Sequence, residues 1–264
     1  MEIGISTASL FLRQYNEDAL VTLNELDSRV CEVFLETYSE YTEEYAKLLL
    51  EKRGNLKVHS IHTLNTHFEP QLFSPNDRAR EDALKIFEDC LKVGKILQAD
   101  YYTLHGKAKL KKTTTFKNYE EVGLYMRNLT SLGEKYGMKV CLENVEWAYY
   151  GRPGFYAKVK EFCPNLCGCL DIKQARESGF DYTQYINEMG SDIKTVHLSD
   201  VDENGRIALP TEKGFFDFEK LFKQLKDVGF NGNCLIEVYK DNFDSIEQLK
   251  QSLCYLREIK DRIF

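Results

Sequence analysis

The sequence predicts an α/β fold in which eight parallel strands alternate with helices and close into a (β/α)8 barrel, as a single domain over residues 1–264. Three observations support this prediction. Short apolar runs alternate with longer amphipathic stretches along the whole chain, the alternation occurs eight times, and a length of 264 residues suits one barrel of this kind. The composition, 43% apolar and 29% charged, is that of an ordinary globular protein.

Eight apolar runs have the length of buried parallel strands and are rich in Val, Ile, Tyr, Thr and Cys. The predicted strands span residues 3–7, 30–36, 57–63, 100–106, 139–145, 166–172, 193–200 and 233–239. Between them, apolar residues recur at three- and four-residue steps, as in the stripe that contains Phe218, Leu221 and Leu225. Each stripe predicts a helix that covers the outer face of the strands.

The main competing architecture is a doubly wound open sheet. Such a sheet would be favoured by a glycine-rich dinucleotide-binding turn after the first strand. The segment there reads Ser6-Thr7-Ala8-Ser9, which favours the barrel. After the seventh strand, residues 200–214 form a long loop, which we interpret as a candidate lid or substrate loop.

The charge and the apolar pattern disfavour several functional classes. The chain has 35 basic and 42 acidic residues and a net charge of −7, which disfavours nucleic acid as a partner because backbone binding needs clustered cations. No apolar run approaches the roughly 18 residues of a membrane span, and the acidic N-terminus lacks the basic start of a secretory signal. We therefore expect a cytoplasmic protein with no membrane partner. One dense lysine tract, either a solvated loop or a contact for an anionic ligand, comprises Lys107, Lys109, Lys111 and Lys112.

Eight cysteines are spread along the chain. Cys163, Cys167 and Cys169 have the density of a zinc cluster, but no second pair lies nearby at the spacing of a zinc knuckle. Several of the cysteines fall within apolar strand-like runs. We interpret them as reduced, buried thiols that act as small hydrophobic residues.

Titratable side chains stand near the C-terminal ends of seven consecutive predicted strands. In strand order they are Glu36, His62, His105, Glu143, Asp171, His197 and Glu237. In a barrel these strand ends converge on the active site. Because side chains alternate between the two faces of a strand, Glu143 shares its face with Cys141. Asp171 likewise shares its face with Cys169, and such small partners fit a narrow barrel interior.

Three acidic residues inside apolar strands need compensation. Burying Glu143, Asp171 and Glu237 in one barrel mouth is costly because the three charges repel one another. A divalent metal ion would hold all three ionised, with His197 as a neutral nitrogen ligand. This oxygen-rich set suits Mn²⁺, Mg²⁺ or Co²⁺, with Zn²⁺ as a further candidate. We therefore predict one bound divalent metal ion, although each residue taken singly could also be a core histidine or a salt-bridge partner.

The order and spacing of these motifs resemble the xylose isomerase-like TIM barrel superfamily over nearly the whole chain. The motifs are 58–62 (VHSIH), 103–106 (TLHG), 141–144 (CLEN), 169–171 (CLD), 196–200 (VHLSD) and 235–237 (LIE), together with Leu209-Pro210, Gly214 and Asp217. This superfamily contains sugar isomerases and epimerases, inosose dehydratases and nucleases of the endonuclease IV type.

The resemblance to the epimerase branch implies roles for individual residues. The implied ligands of one divalent metal ion are Glu143, Asp171, His197 and Glu237. Glu143 and Glu237 would also be the catalytic acid and base that move a proton through a metal-stabilised enediolate. His62 and His105 would contact substrate oxygens. The implied function is a metal-dependent isomerase or epimerase of a sugar, sugar phosphate or keto-polyol, with a small carbohydrate as partner and homo-oligomerisation left open.

Further residues near the barrel mouth are candidates for substrate binding. They are Glu36, Trp147, Gln174, Arg206 and Lys213. Trp147 could stack on the apolar face of a sugar or pack within its own loop. Glu36 is either a pocket wall or an ion-pair partner. The cations either recognise a carboxylate or phosphate of the substrate or are solvated surface charges, and Lys173 and Arg176 raise the same alternative.

Two positions depart from the family pattern. Gln174 stands three residues after the strand-six aspartate, where a histidine is common, and residues 206–210 lack the Asp–x–His of the nuclease branch. The third zinc site of those nucleases is therefore missing, which together with the acidic charge argues against abasic-site cleavage. The alternatives to an isomerase are a metallohydrolase or lyase of the same barrel, with a second ion at His62 and His105, and a non-catalytic carbohydrate-binding barrel.

Overall fold

The protein, described by a computed structural model over residues 1–64, 68–109 and 118–264, forms a closed barrel of eight parallel strands. The prediction of a (β/α)8 TIM barrel is confirmed, and the doubly wound open sheet is excluded. Each barrel strand pairs in parallel with the next one along the chain, and the last pairs with the first. Two lysines of the predicted basic tract, Lys111 and Lys112, lie outside the described residues.

The strands are numbered in chain order, and two of them form a separate hairpin. The barrel strands are β1 (Ile3–Ser6), β2 (Val30–Leu35), β3 (Lys57–Thr63), β4 (Tyr101–Leu104), β5 (Lys139–Glu143), β6 (Cys167–Asp171), β7 (Ile193–Leu198) and β10 (Asn233–Ile236), and the hairpin strands are β8 (Asp200–Val201) and β9 (Ile207–Ala208). All eight predicted barrel strands occur, but several are shorter than predicted. β4 ends before residue 106, because Gly106 has a positive φ of 82° that leaves the extended conformation. His105 and Glu237 therefore stand just beyond the ends of their strands.

Helices connect the strands and cover the outside of the barrel. Those of the described residues are α1 (Asn16–Glu25), α2 (Glu43–Lys52), α3 (Asp77–Leu97), α4 (Tyr119–Lys135), α5 (Phe155–Lys160), α6 (Ile172–Glu177), α7 (Tyr182–Met189), α8 (Phe218–Asp227) and α9 (Ile246–Ile263). The predicted stripe of α8, which includes Leu221 and Leu225, is buried, and burial of each such side chain stabilises the fold by about 1.5–3 kcal/mol. Within residues 1–64, 68–109 and 118–264, no helix combines the length and the apolar character needed to cross a membrane.

The lower part of the barrel interior contains small side chains. Cys141, Cys167 and Cys169 pack against one another beside Tyr101. Cys169 and the functional candidates lie on one face, since its Sγ is 3.8 Å from Nε2 of His197. Seven of the eight cysteines are buried, as their apolar surroundings predict, and the exposed one is Cys254.

An irregularity in β3 turns two consecutive side chains toward the barrel interior. The pairing register with β2 shifts between Cys31 and Glu32, which is the signature of an extra residue in the partner strand. His59 Nε2 lies 3.0 Å from Thr195 Oγ1, and the next residue, Ser60, donates its hydroxyl to Glu32 at 2.7 Å. The interior of β3 is therefore more polar than strict alternation predicts.

The segment after β7, which the sequence suggested as a long lid loop, is organised as the β8–β9 hairpin. Asp200 stabilises its base, because Oδ1 accepts backbone N–H groups from Val201 at 2.7 Å, Phe215 at 3.0 Å and Phe216 at 2.9 Å. Several hydrogen bonds to one carboxylate fix both ends of the segment to the barrel. These hydrogen bonds therefore hold the hairpin in place beside the barrel mouth.

Candidate active site and metal centre

His197, at the C-terminal end of β7, lies at the centre of the predicted metal-binding residues. Its Nδ1 atom is 2.9 Å from Glu237 Oε2, 3.2 Å from Glu143 Oε1 and 3.8 Å from Asp171 Oδ2. These side chains come from β5, β6, β7 and the residue after β10, so only the closed barrel brings them together. One oxygen of each of the three predicted carboxylate ligands thus lies within 3.8 Å of His197 Nδ1.

The donor atoms of this cluster fit a divalent cation. Atoms that bind one ion at about 2.0–2.2 Å lie about 3–3.5 Å from one another, close to the spacings around His197 Nδ1. Glu143 Oε2 is buried and has no hydrogen-bond partner among the described residues, since His105 Nε2 lies 3.7 Å away. Buried carboxylate oxygens without partners are costly, and a cation would satisfy them. The site can therefore hold a metal ion.

Electrostatic interactions keep the buried carboxylates ionised. Burial alone would raise the pKa of Asp171, but the ammonium group of Lys173 and the imidazole of His197 outweigh it and hold this pKa at about 2. The pKa of Glu237 is also lowered, because His197 and Lys173 outweigh the effect of burial. The carboxylates are thus available as anionic ligands.

Lys173 is a buried cation at the edge of the cluster. Its Nζ atom lies 3.6 Å from Asp171 Oδ2 and 3.8 Å from Glu237 Oε1, and 4.6 Å from the ring centre of Tyr239. The side chain is only 3% exposed. The sequence left it open whether this lysine recognises an anion or is a surface charge, and the structure excludes the surface position. In the sequence, the feature that could have indicated its burial was its position two residues after Asp171, at the start of a helix.

His62 and His105 form a close pair beside the cluster. Their Nε2 atoms are 2.9 Å apart, and Nδ1 of His105 lies 2.8 Å from Glu69 Oε2. Burial by itself would lower the pKa of His105, but the Glu69 carboxylate outweighs it and raises this pKa. Burial and the neighbouring His105 lower the pKa of His62. Glu69 was not predicted from the sequence, because it lies in a short helical segment after β3 rather than at a strand end.

A cavity of about 240 Å³ opens above these residues. Its lining includes His62, His105, Glu143, Trp147, Lys173, Gln174, Glu237 and Tyr239. The ring of Trp147 lies 5.3 Å from that of His105, centre to centre. Gln174 is fixed by its own contacts, since its Oε1 accepts the backbone N–H of Glu146 at 2.9 Å. The structure therefore brings four of the predicted substrate-binding residues to one cavity.

The other three predicted substrate-binding residues do not line this cavity. Arg206 and Lys213 line a separate, larger groove beside the β8–β9 hairpin, and Arg206 forms an ion pair with Asp202 at 2.7 Å. Glu36 is half-buried after β2, where its backbone N–H donates to Glu40. Burial and the nearby Glu40 carboxylate raise the pKa of Glu36 to about 7.

Glu32 is a further acidic residue of the site that the sequence interpretation missed. It lies within β2, is 0% exposed, and faces His197 from below, with Oε1 3.1 Å from His197 Nε2. Burial alone would raise the pKa of Glu32, but the neighbouring His197 and His62 lower it well below its usual range. The sequence feature that could have identified it is the presence of an acidic residue inside the apolar run Val30–Leu35.

The fold and the gathered strand-end residues define a TIM barrel with a polar site at its C-terminal mouth. The chain belongs to the xylose isomerase-like TIM barrel family, whose model matches residues 21–259. No curated protein sequence matches the chain.

Several solved structures share the whole fold. A D-tagatose 3-epimerase-like protein is 18% identical with a TM-score of 0.78, and the match covers 99% of each chain. The 3-keto-D-glucoside 4-epimerase from E. coli is 17% identical with a TM-score of 0.76, over 98% of this chain and 99% of that one. The IOLI protein with a bound zinc atom is 16% identical with a TM-score of 0.76, over 100% of this chain and 99% of that one. At these identities the similarity shows a common fold.

Proposed function

We propose that the protein is a divalent-metal-dependent isomerase or epimerase of a small sugar, sugar phosphate or keto-polyol. The observation that carries this proposal is the contact of His197 Nδ1 with three carboxylates, all within 3.8 Å, at the floor of a cavity. Two structural neighbours named above are described as sugar epimerases or epimerase-like, and a third holds zinc, which supports the same reading.

The proposed chemistry assigns proton transfer to two carboxylates. When bound by Glu143, Asp171, His197 and Glu237, the cation supplies Lewis acidity toward a carbonyl and its adjacent hydroxyl. In an epimerisation, one of the two glutamates, Glu143 or Glu237, would remove the proton from the carbon beside the carbonyl, and the other would return a proton to the opposite face of that carbon. In an isomerisation the proton would instead be delivered to the former carbonyl carbon. Both glutamates line the cavity, and Glu143 Oε2 has no hydrogen-bond partner among the described residues, so each can accept a proton from a bound substrate.

The remaining lining residues would orient the substrate. His62 and His105 line the cavity and would exchange their mutual Nε2 contact for hydrogen bonds with substrate oxygens, and Trp147 would offer an aromatic face to the apolar side of a sugar ring. A volume of about 240 Å³ suits a ligand smaller than a drug-sized molecule, such as a monosaccharide. We infer a small carbohydrate as the partner, whereas a cytoplasmic location and homo-oligomerisation stay predictions.

A panel of ketopentoses, ketohexoses and their phosphates in D₂O tests the proposal. We expect Mn²⁺-dependent conversion, with one solvent deuterium incorporated at the carbon beside the carbonyl and followed by proton NMR. A chelator should abolish both conversion and exchange. Full conversion in the presence of the chelator, or conversion without deuterium incorporation, would contradict the proposed mechanism.

A second candidate is a metallohydrolase or lyase that uses two ions. His62, His105 and Glu143 could form a second ligand group, because one donor atom from each lies within 4.8 Å of the others. Such a protein would bind two metal ions per chain and would use a metal-activated water as nucleophile. Elemental analysis separates the candidates: one ion per chain favours the isomerase, and two zinc ions favour the hydrolase. Carbohydrate binding without turnover would instead indicate a non-catalytic barrel.

A further inference from the structure

Glu32 is a fully buried carboxylate that the proposed chemistry does not use. It lies inside the barrel and accepts three hydroxyl hydrogen bonds, from Ser60 at 2.7 Å, Thr103 at 2.9 Å and Ser6 at 3.1 Å. These donors come from three different strands. Three donors on barrel strands leave the carboxylate little freedom to rotate. The direction of its remaining contact is therefore fixed by the positions of those strands.

That remaining contact is the imidazole of His197. Glu32 Oε1 lies 3.1 Å from Nε2 of this ring, whereas Nδ1 faces the three carboxylates Glu143, Asp171 and Glu237. The other described neighbour of Nε2 is Cys169 Sγ at 3.8 Å, a weak acceptor. With a cation on the Nδ1 side of the ring, a carboxylate on Nε2 would hold the proton there and leave the Nδ1 lone pair to the ion.

A purely structural role does not account for Glu32. The three hydroxyl donors could be satisfied by a neutral acceptor, and burying a negative charge is costly unless a partner compensates it. The imidazoles supply that partner, with His62 Nδ1 3.7 Å away and His197 closer. In metal sites, a carboxylate on the second nitrogen of a ligating histidine orients the ring and increases its basicity.

We propose that Glu32 is a positioning residue that holds the Nε2 proton of His197 and thereby aims Nδ1 at a divalent cation. This inference rests on the proposed metal-dependent function, since it assigns His197 to the metal. Glu32 acts through the histidine and does not line the cavity that would hold the substrate.

Mn²⁺ binding to the metal-free protein, measured by isothermal titration calorimetry, tests the inference on the full chain. We expect Glu32→Gln to raise the Kd by about 10–100-fold, because the neutral amide orients the imidazole less strongly. The matched control is Glu40→Gln, another buried acid, which bonds to Tyr45 at 3.2 Å and to the Thr37 backbone at 3.2 Å, away from the cluster. Its Kd should stay within about threefold of the wild type.

A second readout is independent of turnover and of affinity. In zinc-loaded protein with ¹⁵N-labelled histidine, we expect the Nε2 proton of His197, assigned with His197→Gln, to resonate far downfield. In Glu32→Gln it should move upfield, because a neutral acceptor makes a weaker hydrogen bond. An unchanged resonance together with an unchanged Kd would overturn the inference while leaving the proposed function intact.

A wild-type protein that binds no divalent cation would overturn the proposed function, and with it the role of Glu32. If Glu32→Gln is recovered only as aggregate, Thr103→Val provides the test, because it removes one donor to Glu32 and preserves side-chain shape. We expect a Kd raised by about 3–10-fold in this variant. A Kd equal to that of the wild type would overturn the inference.

Discussion

The small cavity at the barrel mouth and the larger groove beside the β8–β9 hairpin differ in how their charges are held. Next to the small cavity, the side chains of His197 and Asp171 are 1% and 2% exposed, and their partners come from distant strands. In the larger groove of about 700 Å³, the side chain of Arg206 is 76% exposed and pairs with Asp202 only four residues away. Exposed local pairs cost little and contribute little, whereas buried charges need compensation. The comparison teaches that burial and convergence of charges, rather than cavity size, distinguish the site to which we assign the proposed chemistry.

The largest expected effect lies in the small cavity. Glu237→Gln, and separately Glu143→Gln, should lower kcat by about 10²–10⁴-fold, because each removes a proton-transferring group while preserving shape. Steady-state assays on the substrate found in the D₂O panel check this, with circular dichroism to confirm the fold. Wild-type turnover in either variant would place the acid or base elsewhere and would remove the distinction between the two grooves.

A large effect on stability is expected from Lys173→Met. The substitution leaves the Asp171 and Glu237 carboxylates without their nearby ammonium, and breaking a buried pair costs about 3–5 kcal/mol. For a chain of this size we expect the Tm of the metal-free protein to fall by roughly 6–12 °C.

Saturating Mn²⁺ should restore part of that loss, because the ion supplies the missing positive charge. Lys223→Met, in an exposed ion pair with Glu219, is the matched control and should change the Tm by less than about 2 °C. Differential scanning calorimetry with and without Mn²⁺ provides the measurement. An equal change in Tm in Lys173→Met and Lys223→Met would mean that the burial of Lys173 does not make its charge more important for stability.

A smaller, pH-dependent effect is expected at Glu36, which lies outside both grooves. Its pKa is raised in the folded state from 4.5 to about 7, so folding favours the protonated form. The free energy of unfolding should therefore fall as the pH rises from 4.5 through about 7. Glu36→Gln should be more stable than the wild type by about 1 kcal/mol at pH 8, after solvent screening of this half-buried group is allowed for, and equal to it at pH 4.

Urea unfolding at the two pH values measures this difference. The same variant also tests the sequence-based expectation that Glu36 contacts substrate. A KM that rises more than about tenfold would restore that expectation and would extend the functional cavity toward β2.

The smallest effect is expected in the larger groove. Arg206→Ala and Lys213→Ala should each change kcat/KM by less than about twofold, since neither side chain lines the small cavity. Their kinetics with free sugars and with sugar phosphates provide the measurement. A loss confined to phosphorylated substrates would show that the groove binds the phosphate, and the two grooves would then form one extended site.

Strand alternation and strand order were enough to predict the barrel and the cluster around His197. The reason is that parallel strands in a closed barrel direct their ends to one place, which depends on topology alone. The residues Glu32, Glu69 and Lys173 depended on details that topology does not specify. Glu32 faces a shifted register in β3, Glu69 reaches back from a short helical segment, and Lys173 folds inward from the start of α6.

Arg206 and Lys213, which the sequence predicted as substrate-binding residues, lie in the larger groove instead of the small cavity, and their role stays a prediction. Their positions in the sequence, close after β7, suggested the barrel mouth, but the hydrogen bonds of Asp200 and the β8–β9 pairing direct the segment to the side. Pairing between two short strands separated by a turn depends on side-chain contacts across the segment rather than on hydrophobic periodicity.

The two carboxylate oxygens of Asp171 make different contacts. Oδ1 accepts the backbone N–H of Gln174 at 2.9 Å and so begins α6, while Oδ2 faces His197. An ion held by Oδ2 would therefore restrain the first turn of that helix as well. Slower amide exchange across residues 172–177 would then signal occupancy of the site, so ligands could be screened by mass spectrometry before any substrate is known.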